Sequence, residues 1–366
     1  MSDGWRRALV QRRNRLLADP RFQRFAARFA PTRPVARSEA RALFDLVAGF
    51  TYSQTLAAFV ESGMLAALEP GAMDASVLAE ATQLPVEASE RLARAAAALR
   101  LAERVGTHWM LGSAGAALLG NRGILEMIAH HRLLYADLAD PLAALRSRGG
   151  GALARYWHYA QDSGQGSADE VAGYSALMAA SQPLVADQVI DAYRFGAHRR
   201  VLDIGGGEGA FVERLQERHP AIRATVFDLP EVAERARARF AAKGLGGLDA
   251  VGGDFLAGEL PREQECVTLV RILHDHDADP AARLLRNIRA ALRPGGQLVI
   301  AEPMAGTPGA VASGDAYFGW YLWAMGSGRP RSPREIGTML ADAGFARSRL
   351  LRTQLPITAR VVVATA

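Results

Sequence analysis

The sequence predicts an α/β protein: a doubly wound, mainly parallel sheet in the C-terminal half, preceded by an all-helical half. Three observations predict it. From about residue 198 short apolar runs alternate with amphipathic stretches, the signature of strand–helix units that cover a sheet on both faces. A glycine-rich stretch, "VLDIGGGEGAF", ends the first of these runs and opens a helix. Residues 1 to about 190 instead repeat their apolar residues at helical spacing. At 366 residues the chain is too long for one small core, so two domains are expected, 1–190 and 191–366.

The chain opens with a basic arm. Residues 1–41 hold eleven arginines against Asp3, Asp19 and Glu39, a net +8; the whole chain is +5, so the rest carries −3. The basic excess therefore speaks about the arm's partners and not about the whole surface. Within the arm, "DPRFQRFAARFAPTRP" places Phe22, Phe25 and Phe29 at i, i+3 and i+7, each preceded by an arginine. Such a helix can lie on an anionic membrane surface, or it can pack on a partner subunit.

Helical periodicity continues through "ARALFDLVAGFTYSQTLAAFVESGMLAAL". "SVLAEATQLPVEASERLARAAAALRLAERVGTHWMLGSAGAALL" then reads as helix–turn–helix followed by a two-stranded wing around Gly106. A winged helix beside a basic arm raises the alternative of a DNA-binding regulator. Against it, "VEASERLARAAAALR" mixes Glu87 and Glu90 with Arg91 and Arg94, which is no phosphate-seeking face, and no nucleic-acid partner is expected. The single cysteine, Cys266, excludes an internal disulfide and a cysteine-based metal cluster, and fits a reducing, cytoplasmic setting. The first twenty residues lack the apolar core of a signal peptide, and no apolar run approaches the roughly 20 residues needed to cross a bilayer.

In the C-terminal half, "RRVLDIGG", "ATVFDLP", "VTLVRIL" and "GQLVIAEP" read as strands, separated by helical stretches. The tail "SRLLRTQLPITARVVVATA" offers two more strands joined through Pro356, suited to an antiparallel pair at the sheet end. Gly205, Gly207 and Ala210 fit the G-x-G-x-x-G/A fingerprint, and Asp228 closes the next strand 23 residues after Gly205, where a ribose-binding acid belongs. Alone this fits NAD or S-adenosylmethionine. Three features favour the second. Asp203, just before the loop, repels a pyrophosphate and attracts an ammonium. The fingerprint lies in the C-terminal half, behind a helical domain. Asp254 and Phe255 in "GGDFL" can take an adenine amino group and ring face; the other reading of Asp254 is a loop acid capping the next turn.

The ordered series "VLDIGGGEGAF", "VFDLP", "GGDF", "LVRILHDHD", "ALRPGGQLVIAEP" and "LADAGF" resembles the small-molecule O-methyltransferases of the plant caffeate and bacterial hydroxyneurosporene type, over essentially the whole chain. "ALFDLVAGFTYSQ", "YSALMAASQP", "DAYFGWYLWAMGSGRPRS" and the arginine-rich start look like the carotenoid O-methyltransferases of purple photosynthetic bacteria, which act on demethylspheroidene and 1-hydroxyneurosporene. The resemblance implies a Rossmann-like class I methyltransferase sheet behind a winged-helix-like dimerisation and substrate-lid domain, and a homodimer. It implies S-adenosylmethionine held by Asp203, Gly205, Gly207, Asp228, Leu229, Asp254, Phe255 and Arg271. It also implies an acceptor pocket at Met178, Ser181, Tyr317, Tyr321 and Met325, for an apolar hydroxylated substrate. A carotenoid acceptor dissolves in the membrane, so peripheral attachment at the inner or photosynthetic membrane would help delivery.

"HDHDADP" is the densest polar stretch. His274 ends a strand, at the edge where open α/β sheets bind ligands. Methyl transfer to a hydroxyl needs a proton acceptor, and a neutral imidazole suits that role. The resemblance carries the family's general base onto His274 and its orienting acid onto Glu302, which ends the next strand in "VIAEP". His276 stands where the family has Trp, as pocket wall, second titratable group or solvent-facing residue. Asp275 is open between backbone hydrogen bonding and a link to the active site. Asp279-Pro280 looks like a helix start, with Asp277 adding charge near it. His-x-His with acids could bind a metal, but no third ligand cluster is visible and transfer from a sulfonium needs no Lewis acid, so none is expected. Pro330 in "GSGRPRS" replaces a second acid of the plant enzymes, which puts a two-acid arrangement in doubt. "DAYFGWYLWAMGSG" reads as the wall of a long apolar pocket or as a core helix. A polyketide phenol is the competing acceptor, and a bacteriochlorophyll-type ring carbon the competing reaction.

Overall fold

Apolar residues at helical spacing give helices and one hairpin in residues 3–120, with buried faces from residue 57 onward. The computed structural model describes residues 3–161, 182, 185–257 and 260–366. Its two units are Met1–Gly120 and Asn121–Ala366. The first contains α1 (Asp3–Ala18), α2 (Pro20–Arg28), α3 (Arg33–Glu61), α4 (Met64–Ala67), α5 (Ala75–Thr82), α6 (Val86–Ala98), β1 (Ala102–Val105), β2 (His108–Leu111) and α7 (Ser113–Leu119). The helix pair α5–α6 and the hairpin turning at Gly106 are those read from the sequence, with Val105 opposite His108 across the turn. In the arm, α2 starts where the Asp19 carboxylate accepts the Arg21 N–H at 2.7 Å and Pro20 fills the first turn. Phe25 and Phe29 stack at 5.3 Å and stay exposed.

Helix α3 departs from the sequence reading. No uninterrupted apolar run exists, yet its 29 residues are, by length and composition alone, long and apolar enough to cross a membrane. Its middle is instead amphipathic. Leu43, Leu46, Val47 and Phe50 recur at i, i+3, i+4 and i+7, and with Phe44 all are 65% exposed or more.

The second unit contains α8 (Arg122–Asp137), α9 (Pro141–Ser147), α10 (Ala152–Gln161) and α11 (residues 185–192). These are followed by β3 (Arg200–Ile204), α12 (Ala210–Arg218), β4 (Arg223–Asp228), α13 (Pro230–Ala242), β5 (Leu248–Gly252) and β6 (Gln264–Val270). Last come α14 (Ala278–Ala291), β7 (Leu292–Glu302), α15 (Phe318–Met325), α16 (Pro333–Asp342), β8 (Arg347–Leu351) and β9 (Arg360–Thr365). The strand order is β5-β4-β3-β6-β7-β9-β8. Strands β5 through β7 are parallel, and β9 runs antiparallel to both β7 and β8, the expected sheet-end pair.

Alternate residues of each strand feed two cores. Val201, Val226, Cys266, Val299 and Val361 meet α11, α12 and α13 on one face. Leu202, Phe227, Val267, Leu298 and Val362 meet α14 and α16 on the other. Both faces are therefore dry, as a doubly wound sheet requires. The unit boundary at 120/121 lies well before the expected 190/191. Leu134 of α8 and Leu153 of α10 share a buried cluster with Leu322 and Met325 of α15, so these helices cover the catalytic-half segment that the aromatic stretch builds. A second correction concerns α14. It starts at Ala278 with Asp277 at the cap position, placing Asp279 and Pro280 inside the first turn. The Asp277 carboxylate does not cap α14. It accepts the Gly328 N–H at 3.0 Å and pairs with Arg148.

Candidate active site

β3 and β6 are neighbours in the sheet, but the chain leaves them toward opposite sides, to β4 and to β7. Adjacent strands whose crossovers diverge leave a crevice at their C-terminal ends. The glycine loop occupies the end of β3 and the His274 turn the end of β6, so the topology brings the two motifs together.

The loop is built from backbone. Gly205 adopts φ +68° and donates its N–H to the Phe227 carbonyl at 2.8 Å; a β-carbon there would run into the Ile272 side chain. The Gly207 N–H donates to Asp228 Oδ2 and the Leu229 N–H to Asp228 Oδ1, both at 2.8 Å. Asp228 thus ties the loop to the start of α13, and burial raises its pKa in spite of these bonds. Asp203 is buried, and its Oδ1 accepts the Thr268 hydroxyl at 2.6 Å. Its Oδ2 has no partner. Burial pushes this carboxyl up to about 7, Thr268 pulls it down, and Asp228 adds to the rise. Asp254 is exposed and caps its own turn, accepting the Leu256 N–H at 2.7 Å. Phe255 and the His276 ring pack nearly perpendicular, with centroids 5.5 Å apart, and the Phe255 carbonyl is held by Asn287.

At the end of β6, Arg271 takes φ +59°, rare for a residue with a side chain, and donates its N–H to the Ala301 carbonyl at 2.8 Å. The following 3₁₀ turn, Leu273–Asp275, buries His274. Glu302 is fully buried, but its Oε2 accepts the main-chain N–H of His274 at 3.0 Å, and no bond to the imidazole is present. Asp275 fills the place expected of Glu302, its Oδ1 lying 3.2 Å from His274 Nε2. The Nδ1 atom is buried without a partner. Burial lowers the His274 pKa to about 3, assisted by Arg271, Arg331 and His276, so the ring is neutral. Burial raises Glu302 to about 7 and Asp275 well above its usual range, with Glu302 adding to the latter.

The aromatic stretch forms a π-helical turn, Ala312–Tyr317, leading into α15. Tyr317 shares a 2.7 Å hydrogen bond with His131 Nε2, and Tyr321 one of 2.9 Å with His130 Nε2. Burial lowers the His130 pKa to about 4, with His131 adding to the shift, so His130 is neutral. Phe318 bridges these residues to the turn, 4.9 Å from the Tyr317 ring and 5.9 Å from that of His274. Met325 is buried in the core behind, and Trp323 turns away to donate to the Ala144 carbonyl. Met178 and Ser181 lie outside the described residues.

Comparison with known proteins gives the family and the fold. A family model described as an O-methyltransferase domain matches residues 135–346. The demethylspheroidene O-methyltransferase of Cereibacter sphaeroides is 38% identical over 353 residues, 96% of this chain and 93% of that protein. The chain belongs to the O-methyltransferase family. The demethylspheroidene O-methyltransferase of Rhodobacter capsulatus is 40% identical over 331 residues, 90% of this chain and 83% of that one. Human N-acetylserotonin methyltransferase, solved in complex with S-adenosylmethionine, shares the fold with a TM-score of 0.74 at 22% identity, covering 89% of this chain and 97% of that chain. The pyocyanin biosynthetic protein PhzM does so with a TM-score of 0.76 at 24% identity, covering 90% and 99%.

The donor in this methyltransferase is S-adenosylmethionine. The Asp203 carboxylate fits it: an acid with one buried oxygen unbonded, at the end of β3, is set to receive a cation such as the amino group of a methionine moiety. Sequence reasoning missed three contributors. The His130–His131 doublet sits in an otherwise apolar stretch, "ILEMIAHHRLLY", a signal that could have been followed. Thr268 looks like any β-branched strand residue. Arg331 figured only as a neighbour of Pro330, yet it is fully buried and reaches the His274 turn.

Proposed function

We propose that this methyltransferase methylates a hydroxyl of a carotenoid of the demethylspheroidene or 1-hydroxyneurosporene type, a tertiary alcohol, with His274 as general base. The observation that carries the catalytic part is a buried, neutral imidazole whose Nδ1 has no partner, beside the glycine loop. The acceptor rests on the two demethylspheroidene relatives, matched over nearly their full length.

S-adenosylmethionine supplies an electrophilic methyl group on a sulfonium. A tertiary alcohol is far too weak an acid for an imidazole to ionise beforehand. As the O–CH3 bond forms and the S–CH3 bond breaks, the oxygen gains positive charge and its proton becomes strongly acidic. His274 Nδ1 accepts that proton late, so even a base of low pKa is sufficient. In its ionised form Asp275 beside Nε2 favours the tautomer that leaves Nδ1 free, and stabilises the imidazolium once it forms. Tyr317 and Tyr321, tied to His131 and His130, present aromatic faces and few free donors to a polyene.

The first unit is proposed as the dimerisation and lid domain, with the α3 stripe as the contact between copies. Arginines of α2 with exposed Phe25 and Phe29 are proposed to rest on anionic lipid where the acceptor dissolves.

The test is His274→Ala, assayed with labelled S-adenosylmethionine and a panel of hydroxycarotenoids and polyketide phenols. Turnover should vanish while calorimetry still detects donor binding. Near-normal turnover would reject the base, and methylation of the phenols alone would reject the acceptor.

A further inference from the structure

The His274 turn is a short 3₁₀ element whose carbonyls have no helix to satisfy them. All four carbonyls from residue 273 to residue 276 accept from one loop, residues 327–331. The Arg331 guanidinium donates Nη1–H to the Leu273 carbonyl at 2.8 Å and Nη2–H to the His276 carbonyl at 2.7 Å. The Arg329 N–H donates to the His274 carbonyl and the Ser327 hydroxyl to the Asp275 carbonyl, both at 2.9 Å. Gly328, at φ +77°, lets the loop come this close, since a β-carbon there would strike the His274 carbonyl. From the opposite side Glu302 holds the His274 N–H. Arg331 is fully buried and its Nε is unpartnered; burial lowers its pKa, and Glu302 works against that shift. Burying a guanidinium is costly, and a rigid fork spanning two carbonyls is a use that a lysine cannot match.

We infer that Arg331 is the positioning residue of this methyltransferase: its fork straddles the turn between residues 273 and 276 and, with the 327–331 loop, fixes where the His274 imidazole points. The inference rests on reading His274 as the base. It gives Arg331 and Glu302 a joint task on the main chain, with the imidazole itself left to Asp275. No contact between Arg331 and either substrate is required.

Two variants test it independently. Arg331→Lys keeps the charge but cannot reach both carbonyls, and Gly328→Ala keeps Arg331 but pushes the loop off the turn. Each is expected to lower kcat about 100-fold, the scale of an ångström-size misplacement of a catalytic group. Donor affinity by calorimetry should stay within about twofold, because the glycine loop and Asp203 are untouched. Arg331→Gly should lose turnover and regain part of it when methylguanidinium is added, a rescue that a collapsed fold would not show. His274→Ala is measured alongside. Full activity there overturns the base reading. A dead His274→Ala with wild-type kcat in Arg331→Lys and Gly328→Ala overturns the positioning role. So does loss of donor binding in parallel with turnover and without rescue, which would make Arg331 a general fold residue.

Discussion

Replacing Asp203 by Asn removes one negative charge and hardly changes the shape of the side chain. The Asn carbonyl can still accept the Thr268 hydroxyl that Asp203 Oδ1 now takes at 2.6 Å. What changes is the buried charge, whose cost shows in a pKa raised from 3.8 to about 7. Three pKa units correspond to about 4 kcal/mol. A group raised in the folded state contributes stability below its unfolded pKa and loses it as pH rises through the folded one. Wild type should therefore lose stability between about pH 4 and pH 7, while Asp203→Asn should not. The Asn amide places a buried N–H near the position of Oδ2, which costs roughly 1–3 kcal/mol. At pH 8 the variant should then be more stable by roughly 1–3 kcal/mol, several degrees in Tm for a chain of this size. Donor binding should move the opposite way, because the site has lost its anion. In wild type the S-adenosylmethionine affinity should weaken as pH falls below about 7, by up to about tenfold per unit, and in the variant it should be weak and flat. Thermal melts from pH 4 to 9 and calorimetric titrations over the same range read both effects. A variant that binds donor like wild type, or whose stability difference from wild type does not vary with pH, would refute the assignment of Asp203.

Charging the α3 stripe with Leu46→Glu and Val47→Glu should convert a dimer into a monomer by sedimentation equilibrium, with Tm of the second unit unchanged; wild type sedimenting as a monomer would remove the proposed contact. The same variant should still co-sediment with anionic vesicles at low salt and be released at high salt, since α2 supplies the arginines. Tyr317→Phe leaves the His131 nitrogen unbonded and should cost about 1–3 kcal/mol in stability while raising KM more than it lowers kcat; equal falls in kcat and kcat/KM would place the phenol in the chemistry instead.

Strand–helix alternation after residue 198, the turn glycines and the order of the acids are local patterns, and they sufficed for the parallel sheet, the antiparallel end pair, the loop at Gly205 and the position of His274. The reaction class came instead from the resemblance of the ordered motifs to a known family, because the glycine fingerprint alone fits NAD as well as S-adenosylmethionine. Contacts across long stretches of sequence were not legible. Glu302 was expected on the imidazole and instead meets the main chain, because a strand-end carboxylate reaches whichever donor the neighbouring turn offers. The helix expected at Asp279 begins at Ala278, and Asp277 at its cap position is drawn across the fold to Gly328 and Arg148.

The sequence by itself determined the fold class and the glycine loop, since each depends on spacing within one segment. Only the tertiary structure decided that α8–α10 pack with the catalytic half, that His130 and His131 pair with Tyr321 and Tyr317, and that residues 327–331 cap the turn at 273–276. Helical periodicity says that a face must be buried but not against what. Likewise a buried carbonyl must find a donor, and which donor it finds depends on where the chain returns more than fifty residues later.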